Sequence, residues 1–211
     1  MRKFNLIILF AVIYMFSLNA QESPGKYAVE MNFNPASLFD ALAGTMFTMP
    51  QISGKYFLYS DMAVRLGVDM GVYSNKSYSD ADGDNYQKDS GFDLTIYPGI
   101  EKRFGSEKLV VLVGGELPLG WSSTKRTTTM GGNTTIYNNI NGGGINVGLH
   151  AVLGGEFYLF PNFYIGAVFT PGLDVLLSAD QKTDNDITQK GGNSASFNLS
   201  SSSGLKIGLR F

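Results

Sequence analysis

Eight runs of alternating apolar and polar residues, connections that alternate between long and short, and a charge-poor composition predict an all-β fold. The architecture they point to is an eight-stranded antiparallel up-and-down transmembrane β-barrel. The 211 residues include 16% charged and 13% aromatic side chains and 26 glycines, with a net charge of −2. Charged residues make up about a quarter of an ordinary soluble domain, so much of this surface is built to meet something other than water. The near-neutral balance supplies no basic field for nucleic acid. With no Cys, disulfides, thiolate chemistry, Cys-ligated zinc and a lipidated Cys are all excluded.

The first segment reads as a targeting signal. Arg2 and Lys3 form a basic start, Phe4–Phe16 is apolar except for Asn5, and Ser17-Leu18-Asn19-Ala20 places a small residue before Gln21. That order is the layout of a secretory signal peptide over residues 1–20, which leaves 21–211 as one barrel domain. The apolar run is shorter than the ~20 residues a spanning helix needs. A mature chain held in a membrane must then cross it as a closed sheet, because unpaired backbone groups cannot face lipid.

Residues Lys26–Asn34 begin the alternation, with Tyr27, Val29, Met31 and Phe33 opposite Ala28, Glu30 and Asn32. Pro35–Pro50 interrupts it with a Leu/Ala/Phe-rich middle that suits a helical turn. Ile52–Ser60 is the second run, and Ser60-Asp61 a tight turn. Met62–Tyr73 has the cleanest period: Val64, Leu66, Val68, Met70 and Val72 against Arg65, Gly67, Asp69 and Gly71. Ser74–Ser90 reads as a polar loop. Phe92–Phe104 follows, with a bulge expected at Pro98-Gly99, then a turn at Gly105–Glu107. Leu109–Trp121 leads to a second polar loop, Ser122–Gly143. Ile145–Phe160 turns at Pro161-Asn162 into Phe163–Ser178, and a third polar loop, Ala179–Ser194, precedes Ser196–Phe211. The last residues put Leu205, Ile207, Leu209 and Phe211 on one face and Lys206, Gly208 and Arg210 on the other. Period-two alternation of this kind marks a strand with two unlike surroundings.

The connections run long, short, long, short, long, short, long. Outer-membrane barrels have short turns at the periplasmic end and longer loops outside, whereas a soluble barrel has no reason to sort loop length by end. Aromatic residues fall in two bands. Tyr27, Tyr59, Phe104, Phe160, Phe163 and Phe211 lie at the short-turn end, and Phe33, Tyr73, Phe92, Trp121 and Phe197 near the other, as an aromatic girdle requires. Against this stand Pro98, Pro118 and Pro171, which fall inside apparent strands and each remove a ladder donor. They belong at bulges or beyond the bilayer.

Signal peptide, alternating runs and the terminal Leu209-Arg210-Phe211 together resemble the small outer-membrane barrels of the OmpA and OmpX type. Glu30-Met31-Asn32-Phe33-Asn34 and Ala63-Val64-Arg65-Leu66-Gly67 after a Ser-Asp turn are similar to the β-barrel-domain family abundant in the Bacteroidetes. The resemblance implies the fold, a bacterial outer-membrane location, and a role for Leu209 and Phe211 as the signal read by the barrel-assembly machinery. It carries no catalytic residues across.

Strand parity sends Glu30, Lys55, Arg65, Asp69, Asp93, Glu116, His150, Glu156, Asp174, Lys206 and Arg210 into the lumen. A barrel of this size is just wide enough for side chains to fill, so these charges must pair. A packed ion-pair network and a narrow polar conduit or small-ligand cavity are the two readings of that lumen. His150, the only histidine, is expected to bond an acid such as Glu156 or Glu116. A catalytic base in an outer-membrane hydrolase is the alternative. Asp80, Asp82 and Asp84 alternate as calcium ligands do, but Asn85 and Gly91 stand where such a loop needs Gly and Glu, which leaves a weak metal candidate. No cofactor is expected.

The expected function is non-enzymatic: a monomeric outer-membrane protein whose four outward loops meet an external partner. Outer-membrane lipid and the barrel-assembly machinery are its expected partners, and nucleic acid is not one. The alternatives are a narrow pore or small-ligand transport component, and a soluble secreted ligand-binding barrel.

Overall fold

The computed structural model describes residues 25–33, 50–79, 84–106, 108–139, 143–184, 186–198 and 204–211. The expected signal peptide, the interruption after Asn34, and Asp80 and Asp82 lie outside them.

The described elements are strands of one antiparallel 14-stranded sheet. In chain order they are β1 (Tyr27–Phe33), β2 (Gln51–Tyr59), β3 (Met62–Tyr78), β4 (Tyr86–Gly105), β5 (Leu109–Glu116), β6 (Leu119–Met130) and β7 (Asn133–Asn138). Then follow β8 (Gly144–Phe160), β9 (Phe163–Phe169), β10 (Gly172–Ser178), β11 (Gln181–Thr183), β12 (Asp186–Gln189), β13 (Asn193–Asn198) and β14 (Gly204–Arg210). From β1 the pairing runs through β2, β3, β4, β5, β8, β9 and β14 and returns to β1. Tyr27 and Phe211 exchange backbone hydrogen bonds of 2.9 and 2.8 Å where the circuit closes. Above this circuit β6 lies between β4 and β8, and β10 between β8 and β13. β7, β11 and β12 extend the sheet outward from β6.

The circuit is staggered. Stepping across paired residues from Tyr27, at the foot of β1, leads through Tyr56, Val64, Ile100 and Gly115 to Ala151, midway along β8. A sheet that closes needs this offset, because its strands tilt against the axis of closure.

Three expectations are corrected. No bulge forms at Pro98-Gly99: the β3–β4 register runs unshifted from Met62↔Lys102 to Tyr78↔Tyr86, with Pro98 opposite Leu66. Pro118 and Pro171 stand at the breaks between β5 and β6 and between β9 and β10, yet register is kept across each. Gly99↔Glu116 and Ile96↔Leu119 share one register, as do Leu153↔Phe169 and His150↔Gly172. The carbonyls of Pro98, Pro118 and Pro171 each accept a sheet hydrogen bond of 2.9 Å, from Leu117, Gly148 and Ala151. A proline lacks only the donor, so a through-running strand tolerates it where the neighbour has no need of that N–H.

The second correction concerns the long connections. The stretches read as loops over Ser74–Ser90, Ser122–Gly143 and Ala179–Ser194 are largely strand, occupied by the ends of β3 and β4, by β6 and β7, and by β11 and β12. Gly131 and Gly132 turn β6 into β7 with φ of 57° and 80°, the pair of positive values a two-residue hairpin needs and glycine supplies without strain. Ser74 to Tyr78 are exposed on both faces. A strand wet on both sides has no apolar stripe to betray it.

Polarity is reversed relative to a soluble fold. Val64, Leu66, Val68, Leu205 and Ile207 are all exposed, Leu66 to 51%, while Leu209 is half-buried. The fully buried side chains include Glu30, Glu101, Glu116, Glu156 and Lys206. Tyr73, expected in the outer aromatic band, has inward parity, with its ring over Gly91. It shares the face of Arg65 and Asp69, not that of Val72.

Candidate functional site

The interior is built by simple alternation. Because successive side chains point to opposite faces, Glu30 of β1, Lys55 of β2, Arg65 of β3, Glu101 and Arg103 of β4, Glu116 of β5, Glu156 of β8 and Lys206 of β14 turn toward the enclosed side. Each is at most 7% exposed. Four cations thus face four carboxylates.

Their contacts cross the circuit. The Lys55 ammonium lies 2.8 Å from Glu30, 2.5 Å from Glu101 and 3.1 Å from Glu156. Lys206 reaches the same Glu30 and Glu156 oxygens at 3.0 and 2.7 Å. Arg103 donates to Glu156 and to the Tyr158 hydroxyl, both at 2.6 Å, and the Tyr164 hydroxyl donates to Glu30 at 2.9 Å. Arg65 stands 3.6 Å from Glu116 and 3.9 Å from Glu101, a charge contact longer than a hydrogen bond. An isolated buried ion costs several kcal/mol even after relaxation. Mutual neutralisation is what permits so many charges here.

Above this layer, His150 Nε2 lies 3.1 and 3.2 Å from the two Asp174 oxygens, and Nδ1 lies 3.6 Å from Glu116. Asn146 donates to Asp174 at 3.3 Å. At the foot of the interior, the Phe57 ring is covered by Arg210 at 3.9 Å and Arg103 at 4.9 Å, a cation–π arrangement. Arg210 also donates to the Gly25 carbonyl at 2.7 Å.

Close packing uses glycine opposite bulk. A Cβ on Gly208 would sit 2.2 Å from the Tyr164 ring, one on Gly172 1.9 Å from the His150 ring, and one on Gly166 3.0 Å from the Lys206 chain. The inward glycines therefore give the large polar side chains their space.

Of the residues expected in the lumen, Glu30, Lys55, Arg65, Glu116, Glu156 and Lys206 are brought together, with His150 and Asp174 beside them. Arg210 is half-buried at the rim. Asp69 and Asp93 are exposed and stand above the network, the Asp93 carboxylate lying over Gly71. Of the calcium candidates, Asp84 is exposed. Leu209 is half-buried on the outer face, and the Phe211 ring stacks on Tyr27 at 6.3 Å. Glu101, Arg103, Tyr158 and Tyr164 were absent from the expected set. The first two lie in an unbroken inward series with Asp93, Thr95, Tyr97 and Gly99, which the expected bulge interrupted. Tyr164 sits in Phe-Tyr-Ile-Gly-Ala-Val-Phe, where neither face is polar enough to announce itself.

Chemically, the arrangement fills the enclosed space and braces opposite strands. His150 is 3% exposed and fixed between carboxylates, so it presents no ring nitrogen to bulk solvent.

No protein-family model and no curated protein matches the chain. Among solved structures it is similar to the crystal structure of Acinetobacter baumannii CarO, at 10% identity over 92% of this chain and 99% of that one, with a TM-score of 0.34.

Proposed function

We propose that the chain is a non-enzymatic integral protein of the bacterial outer membrane. It is an eight-stranded β-barrel whose closed circuit is β1, β2, β3, β4, β5, β8, β9 and β14, with β5 continuing into β6 and β9 into β10 in unbroken register. The observation that carries this reading is the reversed polarity: an apolar exterior around a closed circuit of pairings whose interior is ionic. A soluble barrel needs the opposite distribution, and an exposed apolar belt of this extent marks contact with something other than water. The aromatic ends, with Tyr27 against Tyr56 at 5.2 Å and Phe160 against Phe163 at 6.5 Å, fit one girdle, and Phe92 and Trp121 the other.

The role that suits a braced, charge-neutral interior is structural or surface-interacting, with the strand-built outer extensions meeting an external partner. The protein is a monomer, delivered by the barrel-assembly machinery through its Leu209 and Phe211 strand end. Insertion into phosphatidylcholine vesicles should give a folded band on a gel that shifts on boiling. A chain that stays soluble and monomeric without detergent removes the reading. Planar-bilayer recordings should be silent, since the Lys55 and Arg103 clusters obstruct the passage. A steady conductance would instead assign the lumen to transport, a role the exposed inward Asp69 and Asp93 favour.

A further inference from the structure

Above the apolar belt, charge separates by face. The β3–β4 and β4–β6 registers run unshifted from the belt to the top of the hairpins, so side-chain parity is fixed throughout. Lys76, Lys88 and Lys125 share the outward face with Val72, Phe92 and Trp121, and all three lysines are exposed. The acids of these strands, Asp69, Asp89 and Asp93, have the opposite parity. On β3, β4 and β6 no acidic residue above Val72 shares the lysine face, and among the described residues no ion pair engages the three lysines. On the neighbouring β11 end, the carboxylates of Asp184 and Asp180 are spent on the backbone amides of Ile136 and Gly191, at 2.8 and 2.9 Å.

The lysines are also placed at a cost. Lys76 and Lys88 are direct cross-strand partners, a like-charge arrangement that destabilises a strand pair. The Lys76 ammonium is steered by two rings, 3.9 Å from the Tyr86 centroid and 4.6 Å from that of Tyr78. A repulsive pair held four positions beyond Val72 and Phe92, the last outward apolar pair, is relieved by an anion standing just past the end of that belt.

We infer that Lys76, Lys88 and Lys125 form a docking surface for the phosphate groups of a membrane lipid whose acyl chains lie against the belt below. This rests on the membrane reading of the barrel. The occupant is fixed by continuity: a lipid headgroup is the anion that stands at the upper edge of an apolar belt, and a lysine near an anionic surface contributes roughly fivefold in affinity.

Trp121, the only tryptophan, lies on the same face and reports occupancy by fluorescence. Protein in neutral detergent is titrated with lipid A bearing both phosphates and with lipid A stripped of them. The phosphorylated form should bind at least tenfold more tightly. The K76Q/K88Q/K125Q variant should lose that preference, while K102Q, at the opposite rim, keeps it. Raising NaCl from 0.05 to 0.5 M should erode the preference in the unmodified protein, a readout independent of any variant's folding. A preference that survives the triple substitution, or survives salt, overturns the proposal. So does complete displacement by equimolar inorganic phosphate or by polyglutamate, which would assign the lysines to free phosphate or to an acidic protein. Insertion into phosphatidylcholine vesicles is scored separately: a chain that inserts but shows no phosphate preference loses the lipid surface alone, and one that fails to insert loses both.

Discussion

Lys55 and Glu156 are 101 residues apart in the chain and meet 3.1 Å apart within the interior, Lys55 from β2 and Glu156 from β8 on the far side of the circuit. The same ammonium holds Glu30 and Glu101, so one cation joins β1, β2, β4 and β8. Residues that short-range alternation merely turns inward are thereby tied across the whole circumference.

Lys55→Met should therefore be far more damaging than its loss of hydrogen bonds implies. It leaves three buried carboxylates with one neutralising charge too few, a change that costs about 3–5 kcal/mol when a buried pair is broken. Urea titration of the folded gel band in vesicles measures it. Lys102→Met, which removes an exposed pair to Asp61 at 3.7 Å, should move the midpoint little, as surface pairs contribute about 0–1 kcal/mol. Adding Glu101→Gln to Lys55→Met should restore part of the loss.

Gly208→Ala tests the packing rule of the interior. The added methyl would meet the buried Tyr164 ring at 2.2 Å, and Tyr164 holds Glu30 through its hydroxyl. Overpacking of this kind costs about 1–3 kcal/mol. Gly54→Ala, where a Cβ has open space, should be nearly neutral in the same assay. Equal effects at the two sites would refute the rule.

What the sequence made legible follows the contrast between faces. Between Val64 and Val72, large apolar residues alternate with Arg65, Asp69 and glycines, and both the strand and its two faces could be read directly. Above Val72 both faces meet water, so Ser74–Tyr78 and Thr127–Met130 read as loops although they continue the same ladder. Pro98 misled in another way. Treating it as a bulge broke the count of two, which hid Glu101 and Arg103, whereas counting straight through would have placed both inside. The partners of Lys55 were beyond reach for a different reason. Alternation says which way a side chain points, but the stagger of the closed circuit decides which residues meet.

Asp89 and Arg126 face each other across β4 and β6 above the belt, and their pairing gives the outer extension a pH dependence. Hydrogen bonds from Arg126, at 2.6 and 3.4 Å, hold the Asp89 carboxyl below the usual carboxylate range, with help from Gln87. A carboxyl with a depressed folded-state pKa stabilises fully above its unfolded value, about 3.9. That stabilisation is lost as pH falls through the lower folded value. Protection of β6 amides against hydrogen exchange should thus be constant from pH 7 to 5 and weaken below about pH 4. Asp89→Asn should flatten the profile while leaving β1 and β14 unchanged. Both side chains are about one-third exposed, so the effect is small, on the order of 0.2–1 kcal/mol.

Leu66→Arg discriminates between lipid and water around the proposed barrel. Leu66 points outward, 51% exposed, midway between the Tyr59–Phe104 rim and the Phe92–Trp121 rim. If hydrocarbon surrounds it, a guanidinium at that depth should cost roughly 2–4 kcal/mol in vesicles, read as a lower urea midpoint for the folded band. Ser74→Arg, on the same face but above the belt, should cost almost nothing, because the headgroup region accepts the charge. Water around the same surface reverses the expectation. Leu66→Arg would then replace an already wet leucine and should leave stability unchanged or improve solubility. The difference between the two substitutions, measured in one bilayer, isolates depth from any general intolerance of β3 to arginine.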